Sequence, residues 1–281
     1  MPLSFADLAA STAATSAATS AIGVSLWVLA ALVLAAFVAG WVDSVVGGGG
    51  LIQLPALVIG LPADASTPEI LGTNKLSSVA GTLVATLTYL RRIRVPIGMV
   101  LPLVVAAFAG SAAGSSVARF IPKELLTPIV LVAVVAVGAY TFFKPSMGRV
   151  HSERHSGWSR AWRSALIGVV IGFYDGILGP GTGSFFVIAI VAFLGFGFLQ
   201  GTVAAKLANL TTNIASILVF GIHGEVLWLI GGCMAVANLT GGFLGAKMAM
   251  RHGNEFIRTV FLVVIAILAA KLAWDTAAQW A

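Results

Sequence analysis

Apolar runs separated by short polar segments dominate this chain and limit it to a membrane fold. Only 9% of its residues are charged and 59% are hydrophobic, whereas soluble domains carry about 25% charged residues. Most runs match the length of a helix that crosses a hydrocarbon core of ~30 Å, and they lack the ten-residue alternation of barrel strands. We therefore predict an all-α integral membrane protein. The runs lie at roughly 26–46, 51–60, 74–90, 96–118, 125–143, 164–178, 183–198, 202–222, 226–249 and 256–274.

The charged residues lie mainly between the apolar runs, where they orient a membrane protein. Arg91, Arg92 and Arg94 make one connection basic, and residues 144–163 form a longer basic linker. Since Lys and Arg favour the cytoplasmic side, we place both connections inside the cell and the N-terminus outside. This pattern accounts for the formal charge of +6 without nucleic acid binding. We expect a multi-pass protein of the plasma or inner membrane, with the lipid bilayer as a partner.

The sequence repeats itself in two halves. The stretch "AGWVDSVVGGGG" aligns with "IGFYDGILGPGT" and pairs Asp43 with Asp175, and "NKLSS" aligns with "AKLAN" and pairs Lys75 with Lys206. Corresponding turns carry opposite charge patterns, so we predict an inverted-topology repeat, an architecture common in secondary transporters. Each half is expected to open with a broken-helix hairpin that three transmembrane helices follow.

The repeat also defines the predicted domains and one type of interface. Gly110 and Gly114 align with Gly241 and Gly245, and this spacing of small residues is typical of closely packed membrane helices. The predicted domains are an N-terminal tail (1–25), a first membrane repeat (26–143), a basic cytoplasmic linker (144–163) and a second membrane repeat (164–275).

Both halves interrupt an apolar run with glycines, as "GGGG" after Asp43 and as "GPGTG" after Asp175. Gly costs ~1 kcal/mol and Pro ~3 kcal/mol relative to Ala inside a helix, so neither stretch propagates one. Non-helical backbone at membrane depth survives only where it is buried in protein or lines a wet cavity. The breaks create helix N-termini, whose free N–H groups bind anions. The sequence leaves open whether each hairpin is re-entrant or consists of two short spans.

Two lysines beside the breaks complete a predicted oxyanion site near the midplane. Lys75 and Lys206 are each expected to begin a helix, where snorkelling to the interface is the alternative role. Their pairing in the repeat and their polar neighbours favour a polar cavity instead. The predicted substrate-binding residues are the lysines, glycines and small polar residues Gly48, Gly49, Gly50, Gln53, Thr73, Asn74, Lys75, Gly181, Thr182, Gly183, Lys206, Asn209 and Asn213.

Asp43 and Asp175 each precede a glycine break by four residues, and two roles remain open for them. An ionised carboxylate inside the membrane must be paired, solvated or protonated. In the first role the carboxylate is structural and binds backbone N–H groups or an opposing lysine. In the second it takes up a coupling ion, H+ or Na+, as the anion moves.

Other chemistries find little support in the residues. Cys233 is the single cysteine, and "GGGG" lacks the Gly-Lys-Ser/Thr that completes a phosphate-binding loop. The intramembrane polar residues are mainly Lys, Asp, Asn and Thr, without a nucleophile–base pair. We therefore expect no metal, no cofactor and no enzymatic activity. A homo-oligomer is compatible with the sequence.

The stretches "GWVDSVVGGGGLIQLPALVIGLP", "GTNKLSS" and "GFYDGILGPGTGSFF" resemble signatures of the sulfite exporter TauE/SafE family. The resemblance covers about residues 26–275 and implies transport of a small, often sulfur-containing anion. On this basis the leading hypothesis is a secondary transporter of sulfite or an organosulfonate that works by alternating access. An anion channel of the same architecture and a transporter of a non-sulfur organic anion are the alternatives. The residues that the resemblance implicates are Asp43, Gly47–Gly50, Asn74, Lys75, Asp175, Gly179–Gly183 and Lys206.

Overall fold

The computed structural model describes residues 23–122 and 155–280, and within these residues it contains helices and no strands. The predicted apolar segment 125–143 lies outside the described residues. A π-helical turn, Ile190–Leu194, continues the sixth helix, and Gly253 interrupts the last one with a φ of 73°. The helices are α1 (Leu26–Val46), α2 (Gly50–Gly60), α3 (Thr67–Leu90), α4 (Ile97–Ala118), α5 (Gly157–Ile177), α6 (Thr182–Ala189), α7 (Phe198–Ile222) and α8 (Trp228–Trp280).

Four of the described helices are long and apolar enough to cross a membrane: α1, α4, α7 and the Trp228–Gly253 part of α8. Their outward faces carry large exposed apolar side chains, including Leu34, Val105, Leu218 and Val236. In water such surfaces would be unfavourable, and in lipid they are solvated. The prediction of an all-α membrane protein is confirmed.

Helix α3 begins seven residues before the predicted apolar segment. Ser66 caps it, since its hydroxyl accepts from the Glu69 N–H (3.3 Å) while the Glu69 carboxylate accepts from the Ser66 N–H (2.8 Å). This reciprocal pair is a capping box, and a proline in the first turn supports it. Lys75 therefore lies about two turns inside α3, and Lys206 lies equally far inside α7. The prediction that each lysine begins its helix is wrong, because α3 starts at its Ser66 cap and α7 starts at Phe198, after Gly197.

The first hairpin folds back on itself. The end of α2 contacts the beginning of α1, where a Cβ on Gly60 would lie 3.0 Å from the Leu32 side chain and 3.3 Å from that of Val28. With 11 residues, α2 is ~16 Å long, about half of the hydrocarbon thickness. The second hairpin also has a short arm, Thr182–Leu194. These lengths favour re-entrant arms over full spans.

Glycines allow the helices to approach with their backbones in contact. A Cβ on Gly110 would lie 2.4 Å from the Val169 carbonyl oxygen, and one on Gly241 would lie 2.0 Å from that of Phe37. Gly114 and Gly245 meet backbone atoms one turn further along the same helix pairs. The predicted packing role of these four glycines is confirmed.

The helices sort into two sets by their contacts. Helices α1, α2, α3 and α8 pack together, and α4 packs with α5 and α7, which also contact α6. Buried hydroxyls strengthen the second set: Ser111 donates to the Thr212 carbonyl (2.9 Å), and Ser115 donates to the Ser216 hydroxyl (2.9 Å). Helices α3 and α7 pack against each other and join the two sets.

We expect Gly241→Ala to destabilise the protein by about 1–3 kcal/mol, because the added methyl group would overlap the α1 backbone. Gly232→Ala in the same helix is the matched control, since a Cβ there meets nothing within 4 Å. Thermal unfolding of both variants in detergent checks this expectation. Equal melting temperatures would contradict the backbone contact.

Candidate functional site

The first helix of each hairpin, α1 or α5, ends at a glycine-rich stretch. Helix α1 ends at Val46, and Gly47 continues the chain with a φ of 85°. Helix α5 ends at Ile177, and the next turn contains Gly179 with a φ of 89° and Gly181 with a φ of 76°. Side-chain-bearing residues rarely adopt positive φ, so glycine is required where the chain reverses. We call residues 47–49 the first tip and residues 178–181 the second tip.

The two hairpins meet at their tips. The Ser184 N–H donates to the Gly47 carbonyl (3.1 Å), and the Ser184 hydroxyl donates to the Val46 carbonyl (2.8 Å). A Cβ on Gly47 would lie 2.4 Å from the Gly183 backbone, and one on Gly183 would lie 2.5 Å from Gly47 Cα. Only glycine at both positions permits this approach.

Each predicted lysine binds the predicted aspartate of the other half. Lys75 Nζ lies 2.6 Å from Asp175 Oδ2 and donates to the Asp175 carbonyl at 2.7 Å. Lys206 Nζ lies 2.7 Å from Asp43 Oδ2 and donates to the Asp43 carbonyl. Both carbonyls belong to the last turn of a helix, α1 or α5. The helix dipole favours a cation at that end. Each ammonium group therefore neutralises a carboxylate and caps a helix C-terminus.

The two lysines are buried and lie on neighbouring helices, α3 and α7. Gly72 of α3 packs against Phe220 of α7, and Ala85 and Val203 share a core at the opposite ends, so the two helices are antiparallel. Neither lysine snorkels, because both are about 1% exposed.

A side-chain network attaches the first turn of α2 to its neighbours. Gln53 Nε2 donates to the Asn74 carbonyl (3.1 Å), and Gln53 Oε1 accepts from the Ser77 hydroxyl (3.2 Å) and from Asn238 Nδ2 (2.9 Å). Asn238 Nδ2 also donates to the Ala36 carbonyl (3.1 Å). Gln53 therefore binds α3 and α8, and its side chain is fully enclosed.

Two predicted asparagines have side-chain atoms that lack partners. Asn74 Oδ1 and Asn213 Nδ2 make no hydrogen bond with any residue that the structure describes, and the two residues are only 3% and 2% exposed. An unsatisfied buried polar group costs about 1–3 kcal/mol. Such groups in a folded protein call for a ligand or water as their partner. Asn209, one turn before Asn213, is also buried.

The first-half residues of the predicted site come together. Gly50 lies against the second tip, since a Cβ on it would be 3.5 Å from the Gly179 carbonyl oxygen. A Cβ on Gly179 would be 2.9 Å from Lys75 Nζ. Helix α2 therefore begins beside the Lys75–Asp175 pair, with Asn74 next to its first turn through the Gln53 hydrogen bond.

The other predicted residues take part in internal contacts. Thr73 accepts from the Leu227 N–H (3.1 Å) and holds the connection before α8. Thr182 donates to the Gly179 carbonyl (2.8 Å) and closes its own tip. Lys206, Asn209 and Asn213 follow one face of α7, and Lys206 binds Asp43, one turn before the first tip.

Sequence reasoning did not identify Ser184 as a contact between the tips or Asn238 as the partner of Gln53. In the repeat, Ser184 aligns with Ile52, and Asn238 aligns with Ala107. The available signal was a polar residue that aligns with an apolar residue in the other half of the repeat. Among the described residues, no three His, Cys, Asp or Glu side chains are grouped so as to hold a metal ion.

The comparison with known proteins decides the family. The family model of the sulfite exporter TauE/SafE matches residues 32–272. The chain belongs to the sulfite exporter TauE/SafE family. It is therefore a multi-pass membrane transporter, and its relatives carry the same general description.

Three relatives of this TauE/SafE protein cover nearly the whole chain. The probable membrane transporter protein ORF9 of Sinorhizobium sp. is 38% identical over 248 residues, which are 88% of this chain and 93% of that protein. The probable membrane transporter protein YfcA of Escherichia coli K12 is 34% identical over 257 residues, covering 91% and 93%. A probable membrane transporter protein of Haemophilus influenzae is 36% identical over 255 residues, covering 90% and 97%. No solved structure matches the chain.

We expect the Lys75–Asp175 pair of this TauE/SafE protein to behave as one unit. Lys75→Met or Asp175→Asn alone leaves a buried charge without its partner and should cost about 3–5 kcal/mol. The double variant should cost less than the sum, because it buries no unpaired charge. Unfolding free energies of the four proteins in detergent measure this coupling.

The partly exposed pair Arg119–Glu225, with an N–O distance of 3.9 Å, is the control for that cycle. Arg119→Ala should change the free energy of unfolding by less than about 1 kcal/mol. Strict additivity of the Lys75 and Asp175 variants would contradict a direct buried pair.

Proposed function

We propose that this TauE/SafE protein is a secondary transporter of a small oxyanion, sulfite or an organosulfonate, in the plasma or inner membrane. One observation carries the proposal: helix α2 begins inside the protein, at Gly50, beside the second tip and the Lys75 ammonium group. Helix N-termini bind anions through their N–H groups and the positive end of the dipole. The Lys75 ammonium group adds the charge-assisted donor that oxyanion sites use.

The second part of the proposal is that the two halves form an inverted repeat. Helices α3 and α7 begin at Thr67 and Phe198, so Lys75 and Lys206 lie the same number of residues after the start of their helices. The contact of Gly110 with Val169 corresponds to that of Gly241 with Phe37. Exchange of the halves also maps the α4–α5 contact onto the α8–α1 contact. The two crossed ion pairs map onto each other in the same way.

Alternating access then follows from the two helix sets. The α1–α2–α3–α8 set and the α4–α5–α6–α7 set meet at the α3–α7 contact, at the tips and through the two ion pairs. Rocking of one set against the other would open the tips to one side of the membrane at a time, as in other inverted-repeat transporters. The ion pairs and tip contacts would break and form during this cycle.

The ion pairs also provide a route to coupling. An anion that binds Lys75 competes with Asp175 for the same ammonium group. The displaced carboxylate cannot remain charged and unpaired inside the membrane. Uptake of a proton, or binding of Na+, removes this cost and couples the ion to the anion. The same argument applies to Lys206 and Asp43.

Transport into proteoliposomes tests the function. A coupled transporter accumulates sulfite against its gradient when an ion gradient is applied, whereas an anion channel only equilibrates it. The imposed gradients are a pH step and, separately, a Na+ step. Equilibration under both gradients would favour the channel, and accumulation of a carboxylate but not of sulfite or a sulfonate would favour a non-sulfur anion.

We expect Asp175→Asn to abolish the dependence of sulfite transport on the pH gradient, because an amide cannot carry the coupling proton. Initial transport rates at a series of pH values, measured for wild type and variant, check this expectation. A wild-type pH profile in the variant would assign the carboxylate a structural role. The variant Glu225→Gln, at the partly exposed pair, controls for general effects of removing a carboxylate.

A further inference from the structure

The Lys75–Asp175 ion pair lies toward the connection between α7 and α8. Thr73, two residues before Lys75 in α3, accepts from the Leu227 N–H of this connection (3.1 Å). The connection, residues 223–227, contains no lysine or arginine. We call Lys75–Asp175 the α7–α8-end pair.

The Lys206–Asp43 ion pair lies toward the opposite end of α3. Tyr89 of α3 donates to the Ser44 carbonyl (2.8 Å), and Ser44 directly follows Asp43. Tyr89 is also two residues before Arg91, where the basic connection between α3 and α4 begins. We call Lys206–Asp43 the α3–α4-end pair. The two pairs therefore adjoin different ends of the same helix.

The second tip covers the α7–α8-end pair. A Cβ on Gly179 would lie 2.9 Å from Lys75 Nζ and 3.3 Å from Asp175 Oδ1. The start of α2 lies against the same tip, since a Cβ on Gly50 would be 3.3 Å from Pro180 Cα. Both side chains of this pair are only 2% exposed. The backbone of the tip therefore closes this pair to solvent.

The first tip does not cover its own pair in the same way. Gly47 aligns with Gly179, yet a Cβ on Gly47 would first meet the Gly183 backbone, at 2.4 Å. The Asp43 side chain faces the first tip, where a Cβ on Gly49 would lie 2.6 Å from Asp43 Cβ. The exposed fraction of the Asp43 side chain is nevertheless 14%, against 2% for each side chain of the other pair. Solvent therefore reaches the α3–α4-end pair and not the α7–α8-end pair.

Each ion pair also links the two helix sets. Lys75 of α3 binds Asp175 of α5, and Lys206 of α7 binds Asp43 of α1. A pair can therefore open only when the two sets separate at its end. Because a buried charge without its partner is costly, opening both pairs at once is unfavourable, and one stays formed while the other opens.

We propose that the two ion pairs are gates at the two ends of the transport path, and that the described conformation has the α7–α8-end gate shut and the α3–α4-end gate accessible. This inference rests on the proposed function, because it assigns the two steps of alternating access to named residues. The arginines of the α3–α4 connection favour the cytoplasmic side. The described conformation is then the one that is accessible from the cytoplasm.

Carboxyl labelling of the unmodified chain in detergent tests the state of the gates. A water-soluble carbodiimide with glycine ethyl ester converts accessible carboxyl groups into amides, and mass spectrometry of the fragments gives the rate at each residue. Asp43 should react about fivefold faster than Asp175 or more, since its side chain is the more exposed. Equal rates, or a faster reaction at Asp175, would overturn the inference.

Breaking one gate and labelling the carboxylate of the other tests the alternation. Lys75→Met should favour the conformation that is open at the α7–α8 end, so the α3–α4-end gate closes and Asp43 reacts severalfold more slowly. Lys206→Met should leave Asp175 as slow as in the unmodified chain, because it opens the gate that is already accessible. If Lys75→Met does not fold, the double variant Lys75→Met/Asp175→Asn replaces it and still reports at Asp43.

Ser216→Ala is the control, since it removes a buried hydroxyl that bonds to Ser115 within one helix set. It should leave the labelling rates of Asp43 and Asp175 within about twofold of the unmodified chain. Unchanged or faster labelling of Asp43 in the Lys75 variant would mean that the pairs do not alternate and would overturn the gates, even if proteoliposomes accumulate sulfite. The expected labelling pattern without transport of sulfite or ethanesulfonate would overturn the proposed function and support the gates.

Discussion

The crossed pairing of two buried lysines with Asp175, which is buried, and Asp43, which is partly buried, is the interaction on which the rest of the structure depends. Any one of these four charges would be expensive inside a membrane. Each pair removes the cost of two of them and uses the ammonium group a second time, as a cap on the last carbonyls of a broken helix. The helix interruptions are therefore stabilised by residues from the opposite half. The hairpins could not end where they do without α3 and α7 beside them.

Glycine serves three distinct physical purposes in this chain. At Gly110 and Gly241 it removes a side chain so that two regular helices approach within backbone contact. At Gly47 and Gly179 it adopts a positive φ and reverses the chain. Gly47 and Gly183 allow the two tips to touch, because any Cβ at these positions would overlap the other backbone.

The helices of the two halves correspond to each other, whereas their polar side chains do not. Helix starts, lysines and glycine contacts correspond between the halves, which favours two oppositely oriented units. Side-chain polarity does not correspond: Gln53, Asn74 and Asn238 are present where the other half has Phe185, Ala205 and Ala107. Halves whose helices correspond in this way are common among secondary transporters. The family of this chain, and relatives described as probable membrane transporters, agree with that use of the fold.

The sequence by itself determined the membrane class, the helical content and the positions of both breaks, because apolar runs and contiguous glycines act locally and need no partner. It also identified the four buried charges through their pairing in the repeat. The sequence did not identify their partners, since each carboxylate could bind an opposing lysine or a coupling ion. Only the tertiary structure brings Lys75 of α3 to Asp175 of α5. The Ser184 contact and the unpartnered Asn74 amide oxygen were likewise decided in three dimensions. Hydrogen bonds between distant segments depend on the distance and direction between their groups, and the residue order alone specifies neither.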